Sequence, residues 1–87
     1  MGPMHPSLVA ELIRAALPGA EVVVESEDQT HFNARVVSES FQGLRALARH
    51  QLIYRALGTR VGREIHALSI EALTPQELRA LGANAGG

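Results

Sequence analysis

The 87-residue sequence contains no cysteine, which excludes a disulfide framework, a thiolate nucleophile, a zinc ribbon and any iron–sulfur site held by the chain's own thiolates. Aromatic residues are nearly as scarce: Phe32, Phe41 and Tyr54 are all there are. Stacking unpaired bases on an aromatic platform, the common way of holding single-stranded nucleic acid, therefore has little to work with. No apolar run approaches the ~20 residues of a membrane-spanning helix, and no basic segment followed by an apolar one opens the chain. The expectation is a soluble, cytoplasmic protein with no membrane attachment. Lysine is absent as well. All eight basic residues are arginine, which favours planar, two-pronged contacts with carboxylate or phosphate over diffuse attraction.

What is present suffices for one small domain. Hydrophobic residues make up 46% of the chain, enough for a modest core of Leu, Val, Ile and Ala. A chain of this size buries only roughly 60–65% of its unfolded surface and cannot feed two cores. Met1-Gly2-Pro3 reads as a cloning remnant with Met4 as the natural start, residues 4–81 as the single domain, and Gly82 to Gly87 as a small flexible tail. The net charge of −1 hides an asymmetry. Residues 1–34 set Arg14 against Glu11, Glu21, Glu25, Glu27 and Asp28, a balance of −4. Residues 35–63 set Arg35, Arg45, Arg49, Arg55, Arg60 and Arg63 against Glu39 alone, a balance of +5, and residues 64–87 return to −2. The middle third suits an anionic partner: an acidic protein face, the carboxylates of a thiol tripeptide, or phosphate. The alternative is that these arginines merely solvate the outer face of a helix.

Apolar residues at Leu8, Val9, Leu12, Ile13, Ala16 and Leu17 share one helical face, with Ser7 able to cap it and Pro18-Gly19 stopping it. Glu21–Ser26 and His31–Ser38 alternate as strands joined by the acidic turn Glu27-Asp28-Gln29-Thr30, which predicts a hairpin burying Val22, Val24, Phe32, Ala34 and Val36. A second helix is expected from Phe41 or Leu44 to Leu57, with Leu44, Leu47, Ala48, Leu52 and Ala56 as its apolar positions and Gly58 as its stop. Glu64–Glu71 follows as a third strand that places His66 opposite Ile65 on a rigid element. Thr74-Pro75-Gln76-Glu77 is a capping box that opens a last helix to about Leu81. The order α-β-β-α-β-α predicts an α+β fold, a three-stranded sheet with helices on one face and the third strand added at an edge.

No catalytic constellation is legible, and no enzyme is expected. The carboxylates are spread over helix one, the hairpin turn and the chain ends, and the serines fall at caps, strands and turns. Of the four histidines, His5 adjoins the N-terminal remnant and is expected to be disordered. His50 follows Arg49 on the second helix, where a locally bonded, partly buried histidine is the ordinary outcome. His31 leads a strand, and His66 taken alone is an ordinary strand histidine.

The ordered set is more specific than any member. Thr30-His31-Phe32, then Arg49-His50, then Ile65-His66-Ala67-Leu68-Ser69 resembles the BolA family, over about Ser7 to Leu81. The short loop before His31 is similar to that of the family's acid-stress (IbaG-type) branch. The resemblance implies a class II KH-like arrangement and a partnership with a monothiol glutaredoxin, in which a 2Fe-2S cluster is shared with glutathione and none is bound alone. His66 matches the family's main ligand position. The family's second ligand, a Cys or His in the loop between the first two strands, has no counterpart in Ser26–Thr30; His31 at the loop's end is the nearest candidate. Metal ligands must be unprotonated, so occupancy is expected to weaken as pH falls through the histidine range. Arg45, Arg49, His50 and Arg55 are the expected partner-binding residues, and a second copy of the chain is carried as another candidate partner. The competing reading is a KH-like nucleic-acid-binding transcriptional regulator. Against it, Gly58-Thr59-Arg60-Val61-Gly62 has three residues between its glycines where a KH clamp has two, and the pI near 6.4 lacks a basic excess.

Overall fold

The computed structural model describes residues 4–85, so the remnant expected at Met1–Pro3 lies outside the described residues. The elements run α1 (Pro6–Ala16), β1 (Glu21–Glu25), β2 (His31–Val37), a 3₁₀ turn (Glu39–Phe41), α2 (Ala46–Leu57), a second 3₁₀ turn (Gly58–Arg60), β3 (Ala67–Leu73) and α3 (Pro75–Ala85). This is the expected α+β order. β2 is the central strand, antiparallel to β1 with Val22 opposite Val36, and parallel to β3 with His31 opposite Ala67. The parallel pairing needs a long crossover, which α2 supplies.

The hairpin buries the face its alternation predicts. Val22, Phe32, Ala34 and Val36 pack against Val9, Ala10 and Ile13 of α1, Leu17 just beyond it, and Ile53 and Leu57 of α2, with Phe41 and Ile65 completing the core. His31, Asn33 and Arg35 stand on the other, exposed side, where Arg35 Nε pairs with Glu71 Oε1 of β3 at 2.5 Å. Val37 shares that parity but is buried, in a cleft it lines with Pro75 and Leu78 of α3.

Four expectations are corrected at the element ends. His5 is ordered: its Nδ1 accepts the Ser7 backbone N–H, so His5 and not Ser7 caps α1. α2 begins only at Ala46, because Gly43 takes a left-handed φ of 79° that no continuous helix passes through, and Ser38 caps the preceding 3₁₀ turn. Ile53 and Leu57 form its core face, while Leu47, expected to be buried, is 72% exposed. α3 runs to Ala85, past the end expected near Leu81, and Gly86 and Gly87 lie outside the described residues. Gly58 does end α2, at φ 60°. The capping box also forms as expected: Thr74 N–H donates to Glu77 Oε1 at 2.8 Å, and Glu77 N–H donates to Thr74 Oγ1 at 3.1 Å. Among the described residues no helix is long and apolar enough to cross a membrane.

Candidate functional site

His66 does not lie on β3. The strand starts one residue later, and His66 occupies an exposed bend at its entry, between the fully buried Ile65 and Ala67. The bend is held down: Val61 and Ile65 form a bridge across the turn, and the N–H groups of His66 and Ala67 both donate to Thr30 O, at 2.8 and 3.3 Å. Thr30 directly precedes β2. The parallel register therefore sets His31, first residue of β2, across from Ala67, the neighbour of His66. Two histidines 35 positions apart in sequence thus reach one exposed corner of the sheet.

The acidic turn organises the first of them. Asp28 Oδ1 accepts the backbone N–H of His31 at 2.8 Å and of Thr30 at 3.0 Å, while its Oδ2 meets His31 Nδ1 at 2.6 Å. These donors, the His31 N–H foremost, hold the Asp28 carboxyl well below the usual carboxylate range. A ring whose Nδ1 is fixed by a carboxylate leaves Nε2 as its metal-binding nitrogen, the arrangement that orients histidine ligands in many metal sites. Among the described residues no group of three or more His, Asp or Glu converges as a complete cage. The backbone brings the two histidines to neighbouring positions at this end of the sheet, and any metal centre there must draw further ligands from another molecule.

The arginines divide into two sets. Arg49 is turned inward, its side chain only 12% exposed. Its Nε donates to Leu44 O at 2.8 Å, Nη1 to Ala72 O at 3.0 Å and to Glu77 Oε1 at 2.6 Å, and Nη2 to Glu77 Oε2 at 3.2 Å, with the guanidinium 5.8 Å from the centre of the Phe41 ring. One side chain thereby ties α2, the end of β3 and the cap of α3 together. Nothing in the spacing announces this clamp, since Glu77 is 28 residues away. Arg45 and Arg55 are exposed and, among the described residues, make no ion pair, and His50 is half-buried on the same helix.

The Arg49 fork, followed by the Thr74 N–H, pushes the Glu77 carboxyl from 4.5 down to about 2. A carboxyl held lower in the folded state than in the unfolded one stabilises above its unfolded pKa, and that contribution disappears as pH falls toward the folded value. Stability should therefore decline between about pH 4.5 and 2, with Asp28 acting in the same direction. Chemical denaturation across that range should show the decline in the native chain and a shallower one in Glu77→Gln. Superimposable curves would remove the clamp from the account.

The BolA-like protein family model matches residues 11–77. Human BolA-like protein 1 is 47% identical over 51 residues, 59% of this chain and 37% of that protein. The DNA-binding transcriptional regulator BolA of Vibrio cholerae is 47% identical over 49 residues, 56% of this chain and 46% of that one. The chain thus spans less than half the length of these curated relatives. Among solved structures, a BolA homologue from Coxiella burnetii superposes with a TM-score of 0.76 at 35% identity, covering 87% of this chain and 97% of that one. The BolA domain of SufE1 from Arabidopsis thaliana superposes with a TM-score of 0.74 at 39% identity, covering 83% and 93%.

Proposed function

The chain belongs to the BolA-like family, and from that premise we propose that it is a non-enzymatic adaptor that docks a monothiol glutaredoxin and contributes His66 to a 2Fe-2S cluster shared with that partner and glutathione. The observation that carries this reading is exposed His66 at the entry of β3, tied by its backbone N–H to Thr30, the residue before His31 and its Asp28 support. The residues present fit a shared centre and not a self-sufficient one: the chain has histidines and no thiolate, and no group of three or more potential ligands converges among the described residues. An imidazole in place of a thiolate makes such a cluster less negative and raises its potential, which suits transfer or sensing in iron–sulfur trafficking or stress regulation. His66 is the principal ligand and His31 the second. Arg45, His50 and Arg55 face the partner. Arg49 serves the interface indirectly, by holding α2 in place. The likeness to the BolA domain of SufE1, a domain named as part of another protein, is consistent with a modular role.

Anaerobic reconstitution with a monothiol glutaredoxin and glutathione, followed by size-exclusion chromatography, tests the reading. The chain alone should elute colourless, and the mixture as a coloured heterocomplex with a visible circular dichroism signature. Separate elution of the two proteins, or a stable cluster on the isolated chain, would overturn it.

A second reading, nucleic-acid binding, is favoured by the exposed Arg45, Arg55, Arg60 and Arg63, which make no ion pair among the described residues, and by the similarity to the DNA-binding transcriptional regulator of Vibrio cholerae. If these arginines served phosphate, DNA affinity would fall with salt at a log–log slope of about −0.7 to −0.9 per phosphate neutralised. The expected result is binding no tighter than the non-specific range, Kd roughly 10⁻⁴ to 10⁻⁶ M at physiological salt.

A further inference from the structure

α2 carries its core on one side, through Ile53 and Leu57, and an unusual surface on the other. Successive residues of a helix turn by about 100°, so positions seven apart lie on one stripe. Leu47 and Tyr54 are seven apart, 72% and 41% exposed, with exposed Gln51 between them. Isolated exposed leucines are ordinary on protein surfaces. This one is the most exposed large hydrophobic residue of the described chain and is aligned with its only tyrosine. The surroundings have one sign of charge. α2 contains no carboxylate, and Arg45 at its start and Arg55 in its last turn are exposed without an ion-pair partner among the described residues. Arg60 and Arg63, beyond the helix, are likewise exposed and unpaired there, whereas Arg35 and Arg49 of the same basic segment are neutralised by Glu71 and Glu77.

We propose that the outer stripe of α2, with Leu47 and Tyr54 as apolar anchors between Arg45 and Arg55, is a docking surface for a protein face that has an apolar centre and an acidic rim. An apolar middle with a polar rim is the general anatomy of a protein interface, and Tyr and Arg are enriched in it. The charge complement identifies the occupant: a basic partner would be repelled along the whole helix, and a second copy of α2 would bring arginine against arginine. A phosphate polymer would use the arginines and leave Leu47 and Tyr54 without a role. The inference rests on the adaptor reading for its partner and adds where, away from His31 and His66, affinity is generated. His66 then governs the metal centre, while the α2 stripe governs association of the two proteins before any metal is present.

Association of the metal-free chain with a metal-free monothiol glutaredoxin, measured by titration calorimetry at low and high salt, separates these roles. Leu47→Ala replaces an exposed side chain by the best helix former, so the fold is retained, and circular dichroism confirms it for each variant. Tyr54→Ala and Leu47→Ala should each weaken metal-free association by about tenfold or more. Arg55→Glu should weaken it most at low salt. Association insensitive to Leu47→Ala and Tyr54→Ala would overturn the docking surface while leaving the adaptor reading intact. No association of the native chain would overturn the adaptor reading and this inference with it. Tight duplex-DNA binding abolished by Arg45→Glu and Arg55→Glu, with Leu47→Ala and Tyr54→Ala silent towards both ligands, would reassign the stripe to phosphate.

Discussion

Arg49→Ala should lower the stability of the folded chain by about 2–4 kcal/mol. The change strands the Leu44 and Ala72 carbonyls, which the guanidinium satisfies at 2.8 and 3.0 Å, and each polar group left unpaired in a partly buried site costs about 1–3 kcal/mol. It also removes the fork that holds Glu77, and with it part of the support for the α3 cap. For a domain near this size about 1 kcal/mol corresponds to roughly 4–8 °C, so Tm should fall by at least about 8 °C. Arg49→Lys should recover only part of the loss, since an ammonium cannot reach two carbonyls and a carboxylate in one plane. The measurement also decides what Arg49 is for. If it met a partner instead of its own fold, Arg49→Ala would melt within a degree or two of the native chain and lose affinity alone.

The second large effect lies at the corner of the sheet. His66→Ala should leave the melting temperature of the chain near its native value, because the side chain is exposed and the bend is held by backbone bonds that alanine retains. In the reconstituted heterocomplex the same change should alter the visible circular dichroism spectrum and shorten the lifetime of the cluster by tenfold or more. Loss of a supporting partner behind a metal ligand alone typically costs ~10–100-fold in affinity, and loss of the ligand should cost at least as much. Asp28→Asn, which weakens the support of His31, should give a smaller effect in the same direction. A His66→Ala complex identical to the native one in spectrum and lifetime would remove His66 from the site.

Local signals in the sequence were sufficient for the elements whose determinants are local. The Thr74–Glu77 box makes both of its reciprocal bonds, the hairpin buries Phe32, Ala34 and Val36, and Gly58 ends α2. The bounds of β3 were not legible because Ile65 reads as a strand residue. It is buried for a different reason, as the anchor of a turn bridged to Val61. Leu47 was misplaced for a related cause. Several apolar stripes can be drawn on α2, and only the packing of Ile53 and Leu57 against β2 and α1 selects one. The clamp of Arg49 and the bond from the His66 N–H to Thr30 O are long-range consequences of how β3 is set beside β2. No sequence window contains both partners of either contact.

The central claim is that an imidazole of this chain binds the metal centre of the shared complex, and pulsed electron paramagnetic resonance of the reduced heterocomplex tests it most directly. The native complex should show hyperfine coupling to an imidazole nitrogen, isotopically shifted when only this chain is labelled with ¹⁵N-histidine and markedly reduced in His66→Cys, whose thiolate can take the vacated position. A native complex without nitrogen coupling, or one whose coupling ignores both the label and the His66→Cys substitution, would contradict it.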